Sequence, residues 1–421
     1  MNKKLSLAVA SAVMAFGASA ANAGITIPAG DWTIDIGGNV NAYYTNTRFK
    51  GDLRSPSGTN VPGSRNANTI NTGLLPAAIG IGGKTRQNDL DIAFQFTFFT
   101  GVESGPGGSP TLGGGTTGQF NNNSFGSGSM NIRQAFLTFG DASWGTIKMG
   151  RDLGLFGSDA ILNDMTLLGT GTGAGGNGNT TLGRIGSGYI YADWVGQIQY
   201  MSPNWDGFSF GVAARQPWGN SANSELGWDA KASYEWAGDV AGKVWVGFLS
   251  QRTRSEAFGA GITAVPALNE RVRAWELGGK VNVSDFGLVG YYYDGKGIGD
   301  PGTVAGGAGG GLLGLSPTTF LSGGLFTTSD LDNEGGYVQG TYTIPGAGTK
   351  LGLSWGTSRI GGNSGTAEFE NRSWIVGAYH PLTKSLNLVA EYIDADYKNI
   401  ALQRGQNGEA RTIALGAILF F

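Results

Sequence analysis

The stretch GWDAKASYEW, Gly227–Trp236, puts Trp228, Ala230, Ala232, Tyr234 and Trp236 at every second position, with Asp229, Lys231, Ser233 and Glu235 between them. Side chains of a strand alternate between its two faces, so one face here is apolar and the other charged or hydroxylic. A soluble sheet would cover the apolar face with a second layer, whereas a membrane barrel turns it to lipid. The tryptophans favour lipid. Trp228 and Trp236 share a face eight residues apart. At about 3.3 Å per residue and a tilt of about 35–45°, that is roughly 20 Å along the membrane normal. Two aromatic girdles around a thin apolar band would have this spacing.

The same alternation runs outward in both directions. In DWTIDIGGNVNAYY, Trp32, Ile34, Ile36, Val40, Ala42 and Tyr44 oppose Thr33, Asp35, Asn39 and Asn41. In RAWELGGKVNV, Trp275, Leu277, Val281 and Val283 oppose Glu276, Lys280 and Asn282. LDIAFQFTFF, KLGLSWG, SLNLVAEY and the final ARTIALGAILFF follow suit. The pattern predicts strands over 31–46, 76–86, 89–101, 130–140, 144–152, 190–201, 206–215, 227–238, 242–252, 272–284, 286–295, 334–344, 348–358, 371–381, 385–397 and 410–421, about 16 in all.

Their connections alternate in length. Tight links at Gln87-Asn88, Asp141-Ala142, Ser284-Asp285, Pro345-Gly346 and Leu382-Thr383 interleave with long Gly-, Ser-, Thr- and Asn-rich segments such as 102–129, 153–189 and 296–333. Short turns at one end and long loops at the other are the mark of a barrel inserted from one side of a membrane. No strand edge can meet lipid unpaired, which requires an even, closed, antiparallel wall. On this reading Phe421 ends the closing strand, at the rim and against lipid.

Composition agrees. Of 421 residues, 76 are glycine, 14 % are charged and 11 % aromatic, and no apolar run of roughly 20 residues marks a membrane helix. Residues 1–23, MNKKLSLAVASAVMAFGASAANA, have the basic, apolar and small-residue regions of a secretory signal, with cleavage expected after Ala23, or alternatively after Ala20. Loss of Lys3 and Lys4 would take the formal charge from -3 to -5, which argues against a nucleic-acid partner and suggests a mild cation preference. There is no cysteine, and His380 is the single histidine. Disulfides and two-histidine zinc sites are thereby excluded, and zinc chemistry and serine-hydrolase triads have almost nothing to work with.

At the level of motifs the chain resembles the Gram-negative outer-membrane general diffusion porins. RQAFLTFGDASWGTIKMGRD (133–152) is similar to a strand–turn–strand of that family. YMSPNWDGFSFG (200–211) and WIVGAYHPLTKSLNLVAEY (374–392) are similar to two of its hairpins, and terminal Phe421 to the signature read by the barrel-insertion machinery. The resemblance implies a 16-stranded antiparallel transmembrane β-barrel over 24–421, a homotrimer in outer-membrane lipid and lipopolysaccharide, and an inward-folded third loop. That loop would be about 151–184, where Leu155, Phe156, Ile161, Leu162, Met165 and Leu167 accompany Asp159 and Asp164.

By the same resemblance, Arg133 and Arg184 match arginines of the wall, Asp159 and Asp164 take the place of loop acids, and Lys148 points inward by parity. Bases facing acids across a narrow passage would set up a transverse field that filters small polar solutes. Helix capping for the two acids and a structural ion pair for the two arginines are the alternatives. Two departures stand out. AIGIGG (78–83) lacks the family's frequent arginine, and parity turns Arg151 toward lipid, which suggests a bulge at the outer end of its strand. Asp330, Asp332 and Glu334 have calcium-like spacing, although on an outer loop solvation explains them as well, and no cofactor is expected. Among Tyr291, Tyr292 and Tyr293, at least one is expected in a girdle.

The expected function is therefore non-enzymatic: passive diffusion of small hydrophilic solutes and ions through a water-filled channel. A substrate-specific porin for a sugar or carboxylate is the alternative.

Overall fold

A computed structural model describes residues 24–51, 65–100, 131–172, 181–217, 225–255, 268–298, 331–362, 369–398 and 407–421. The strands are β1 (Ile25–Ala29), β2 (Trp32–Gly51), β3 (Asn66–Asn71), β4 (Ala77–Gln87), β5 (Leu90–Thr100), β6 (Asn131–Asp141), β7 (Gly145–Leu153), β8 (Trp194–Met201) and β9 (Phe208–Arg215). They continue as β10 (Gly227–Trp236), β11 (Val240–Ser255), β12 (Leu268–Val283), β13 (Phe286–Lys296), β14 (Leu331–Thr343), β15 (Lys350–Gly362), β16 (Phe369–Pro381), β17 (Leu386–Lys398) and β18 (Asn407–Phe420).

Each strand from β4 to β18 pairs antiparallel with the next, and β2 pairs with β18 on one side and with β3 and β4 on the other. Strands β3 and β4 share one lane, so the wall is a closed 16-stranded antiparallel barrel. Closure matters energetically because an unpaired N–H or C=O in lipid costs several kcal/mol. The sixteen sequence-predicted strands correspond to β2 and β4–β18; β1 and β3 are additional. β1 continues the lane of β18 along β2: Phe421 and Gly38 exchange backbone hydrogen bonds of 2.9 and 3.0 Å, and Ile25 then pairs with Ile36.

The wall is inside-out relative to a soluble protein. Leu353, Val376, Tyr392 and Ile413 form one cross-strand row on the outer face, each about half exposed to what would be lipid. Trp355 and Trp374 lie in the next row toward the long-loop end, together with the Asp394–Arg411 ion pair (3.2 Å). The row beyond it holds Arg372 and Asp396 (3.0 Å). This change from aliphatic to aromatic to paired charge marks the edge of the apolar band. Trp228 and Trp236 share the outer face, as does Tyr292, whose ring lies 5.5 Å from Trp275. Tyr291 and Tyr293 point inward and are buried.

Inner-face residues bond to each other. Gln95 donates to Thr97 (3.0 Å), Thr97 to Gln134 (2.7 Å), and Gln134 to Asp152 (2.9 Å). Strand β7 runs in continuous register with β6 and β8 through Arg151, which keeps its outward parity. The bulge expected near Arg151 is instead one strand away. Thr97 pairs with Gln134 and Phe98 with Ile132, leaving Arg133 as the extra residue of β6. A bulge re-aims one side chain, and here it turns Arg133 inward, 4.8 Å above the Phe99 ring.

Candidate functional site

Between Leu153 and Trp194 the chain makes its one long connection that is mostly described, 154–193, wider than the 151–184 expected from sequence. Gly154 N donates to Asp193 O (2.9 Å), which closes its base. Leu155 and Phe156 are buried. Gly157, at φ 79°, makes the turn into helix α1 (Ser158–Leu162), a backbone conformation that a side chain resists. A 3-10 turn follows over Met165–Leu168, capped by Asp164, whose carboxylate accepts from Thr166 N at 2.9 Å.

The other carboxylate oxygen of Asp164 accepts from Arg184 N (3.1 Å) and from the Tyr189 hydroxyl (2.8 Å). Asp164 thus staples the outgoing limb of the segment to its returning limb. The capping role raised for it from sequence is present, and so is more.

Interior-facing residues of eight strands hold the segment. On β10 and β11, Lys231 and Lys243 both pair with Asp159, at 2.7 and 2.5 Å. On β12, Glu276 accepts from Gly157 N at 2.8 Å and from the Tyr291 hydroxyl at 2.7 Å. On β14, Gln339 accepts from Met165 N (2.8 Å) and donates to Asn163 O (3.0 Å). Arg184 donates from Nε to Ser354 of β15 (2.6 Å) and from Nη1 to Ser373 of β16 (3.1 Å). On β17, one oxygen of Glu391 accepts from Thr170 N, Thr170 Oγ1 and Gly171 N at 2.8, 2.8 and 2.9 Å. Its second oxygen accepts from the Tyr379 hydroxyl at 2.6 Å. On β2, Tyr43 donates to Leu168 O (2.6 Å).

Residues 72–76 meet this segment near Gly169. The lane shared by β3 and β4 breaks at 72–76, where Leu74 and Leu75 are buried. Leu74 N donates to Gly169 O at 2.9 Å. At Gly169 a side chain has no room, since a Cβ would lie 2.0 Å from a Glu391 carboxylate oxygen.

Of the five charged residues singled out from sequence, three come together on this segment: Asp159, Asp164 and Arg184. Arg184 therefore does not sit on the wall, where the resemblance placed it. It is a fully buried loop residue bonded to the wall. Arg133 and Lys148 lie apart, on β6 and β7. Lys148 is buried in an ion pair with Asp152, and its Nζ is 4.9 Å from the Phe136 ring centroid. Sequence reading missed Lys231, Lys243, Glu276, Gln339 and Glu391. Their inward parity was visible, but their partners lie far away in the chain. Asp330 is outside the described residues, while Asp332 and Glu334 pair with Lys296 (3.4 Å) and Arg359 (3.8 Å). His380 shares a hydrogen bond with Thr349 at 2.9 Å, and no group of acids or histidines among the described residues could hold a metal ion.

Burial opposes ionisation of Asp159, but Lys231 and Lys243 outweigh it and hold its carboxyl well below the ordinary carboxylate range. A depressed value means the contribution is complete above the unfolded pKa of about 3.9 and is lost only as pH falls through the lower folded value. Conductance is thus expected to be unchanged by this latch between pH 7 and about pH 4.5. Bilayer recordings across that range check it.

The Gram-negative porin family model matches residues 9–400. Several solved structures share the fold. The outer-membrane channel DcaP of Acinetobacter baumannii is 14 % identical, with a TM-score of 0.58 over 95 % of this chain and 100 % of that one. An anion-selective porin from Comamonas acidovorans is 14 % identical (TM-score 0.57, 93 % and 100 % covered). OmpF of Salmonella typhi is 17 % identical (TM-score 0.56, 94 % and 100 % covered). No curated protein matches the sequence. With a family match along most of its length, on a wall that closes with the strand number its own alternation demands, this chain belongs to the Gram-negative porins, channel-forming barrels of the outer membrane.

Proposed function

We propose that this porin is a passive, water-filled channel for small hydrophilic solutes and ions, narrowed by segment 154–193 folded into its lumen. The observation that carries the reading is the anchoring of that segment to interior-facing residues of eight strands, from Lys231 round to Tyr43. A segment held across so much of the inner circumference leaves only part of the cross-section to water. Asp159, Asp164 and Arg184 fix its position, and Arg133 and Lys148 belong to the adjoining wall, where both are buried. The working form is a homotrimer in lipid and lipopolysaccharide, exported with residues 1–23 as a cleaved signal and inserted through recognition of Phe421.

Purified, folded protein in planar bilayers should give conductance proportional to bulk salt conductivity. Neutral sugars should permeate according to size, without saturation. Folded protein that forms no channels overturns the reading. Saturable block by one sugar or carboxylate would replace general diffusion with a substrate-specific porin.

A further inference from the structure

The outer wall is not evenly filled. Across β12–β18 its short-turn half carries an apolar groove of about 1060 Å³. One row toward the short turns from Leu353 and Val376, two alanines, Ala378 and Ala390, face each other between Leu351 and Leu415. Methyl groups between two leucines leave a hollow. On the neighbouring strand Gly340 extends it, since a Cβ there would meet open space.

The groove ends on bases. His380 continues the outward parity of Val376 and Ala378 and lies opposite Leu388, so its half-buried ring stands at the short-turn mouth. Its Nδ1 shares a hydrogen bond with the Thr349 hydroxyl at 2.9 Å, and Nε2 has no partner among the described residues. The turn 382–385 joins the two strands that carry the alanines and holds Lys384, which is exposed and forms no ion pair among the described residues. No other short turn has a base. Turns 30–31, 88–89, 202–207, 237–239 and 284–285 each carry an aspartate, while 142–144 and the neighbouring 344–349 carry no charge.

We propose that this groove is a binding site for one anionic phospholipid of the periplasmic leaflet. Its acyl chains lie along Ala378 and Ala390, and its phosphate meets Lys384 and Nε2 of His380. The short turns mark the periplasmic side. Every part of this wall touches hydrocarbon, so the hollow gives a fit by packing and the bases give the selection, through attraction of an anionic headgroup at the membrane surface. A second copy of the chain would need acids to meet these bases. The outward acids of β16–β18, Glu370, Asp394, Asp396 and Glu409, stand at the opposite, long-loop end and are already paired with Lys398, Arg411 and Arg372 of the same strands.

Native mass spectrometry of the folded full-length barrel tests the site without reference to conductance. The protein is incubated in detergent with dioleoyl phosphatidylglycerol or dioleoyl phosphatidylcholine at equal concentration. One phosphatidylglycerol per chain should stay bound, about fivefold more populated than phosphatidylcholine, the factor that one lysine near a membrane surface supplies. Lys384→Gln with His380→Gln should bring the two lipids to within about twofold of each other. Ala390→Phe fills the hollow and keeps the bases, and should lose both lipids. Heat-modifiable mobility shows that each variant is folded. Equal retention of the two lipids by wild type, or a preference that the double variant leaves intact, overturns the site. So does an oligomer that retains no lipid and that Ala390→Phe dissociates, because a second copy would then be the occupant.

Discussion

Glu391→Ala is expected to give larger and noisier single-channel currents than wild type. One carboxylate, 3 % exposed, accepts four hydrogen bonds, three of them from Thr170 and Gly171 at the far end of the segment. Each buried donor left without an acceptor costs about 1–3 kcal/mol. Losses at one shared acceptor do not add, and removing a buried charge returns part of the cost. A net weakening of tip docking by about 2–4 kcal/mol is the expected size. Because about 1.4 kcal/mol is a tenfold change in an equilibrium, open excursions of the segment should become frequent enough to record. Glu391→Gln keeps an acceptor oxygen and should fall between the two. Barrel strands do not depend on this contact, so the heat-modifiable mobility of the folded barrel should survive. A folded Glu391→Ala protein with unchanged conductance and noise would mean that the segment does not limit the passage.

The wall was more legible in sequence than the site, for a physical reason. A strand in lipid must show an apolar residue at every second position over its whole span, so each of the strands β2 and β4–β18 carries its own signature. β1 was missed because ITIPA is only five residues long. β3 was missed because NANTIN is six residues long and carries a single large apolar side chain, Ile70. Segment 154–193 was set apart by Leu155, Phe156 and Met165, apolar residues that a solvated loop does not need, and all three are buried. Its anchors did not. Glu391 holds Thr170 across 221 positions, and Lys231 reaches Asp159 across another strand pair. Alternation says that these side chains face inward and nothing about what they meet. Arg184 shows the other limit: a motif placed it among wall arginines, whereas the chain carries it on the segment and uses it as a tether.

The inside-out wall yields a contrast that no soluble fold would give. Leu353 is 51 % exposed and sits in the aliphatic row with Val376. Read as a surface residue, it should tolerate arginine within about 0.5 kcal/mol. Read as lipid-facing one row inside the aromatic edge, Leu353→Arg should lower the folding free energy in bilayers by about 1–3 kcal/mol, between the interfacial and midplane costs. Ser233 supplies the counterpart. It lies on the inner face of β10, half-buried, with its hydroxyl 3.2 Å from that of Ser209. There arginine has water and Glu235 within reach, so Ser233→Arg should cost less than about 1 kcal/mol. Urea titrations of both variants in lipid vesicles, followed by tryptophan fluorescence, measure the difference. Transfer to a detergent micelle of smaller apolar thickness should shrink the Leu353→Arg penalty and leave Ser233→Arg as it was, because only the first places charge in hydrocarbon. Equal costs at the two positions would mean that the exposed leucines do not face lipid, and the passage through the barrel would lose its wall.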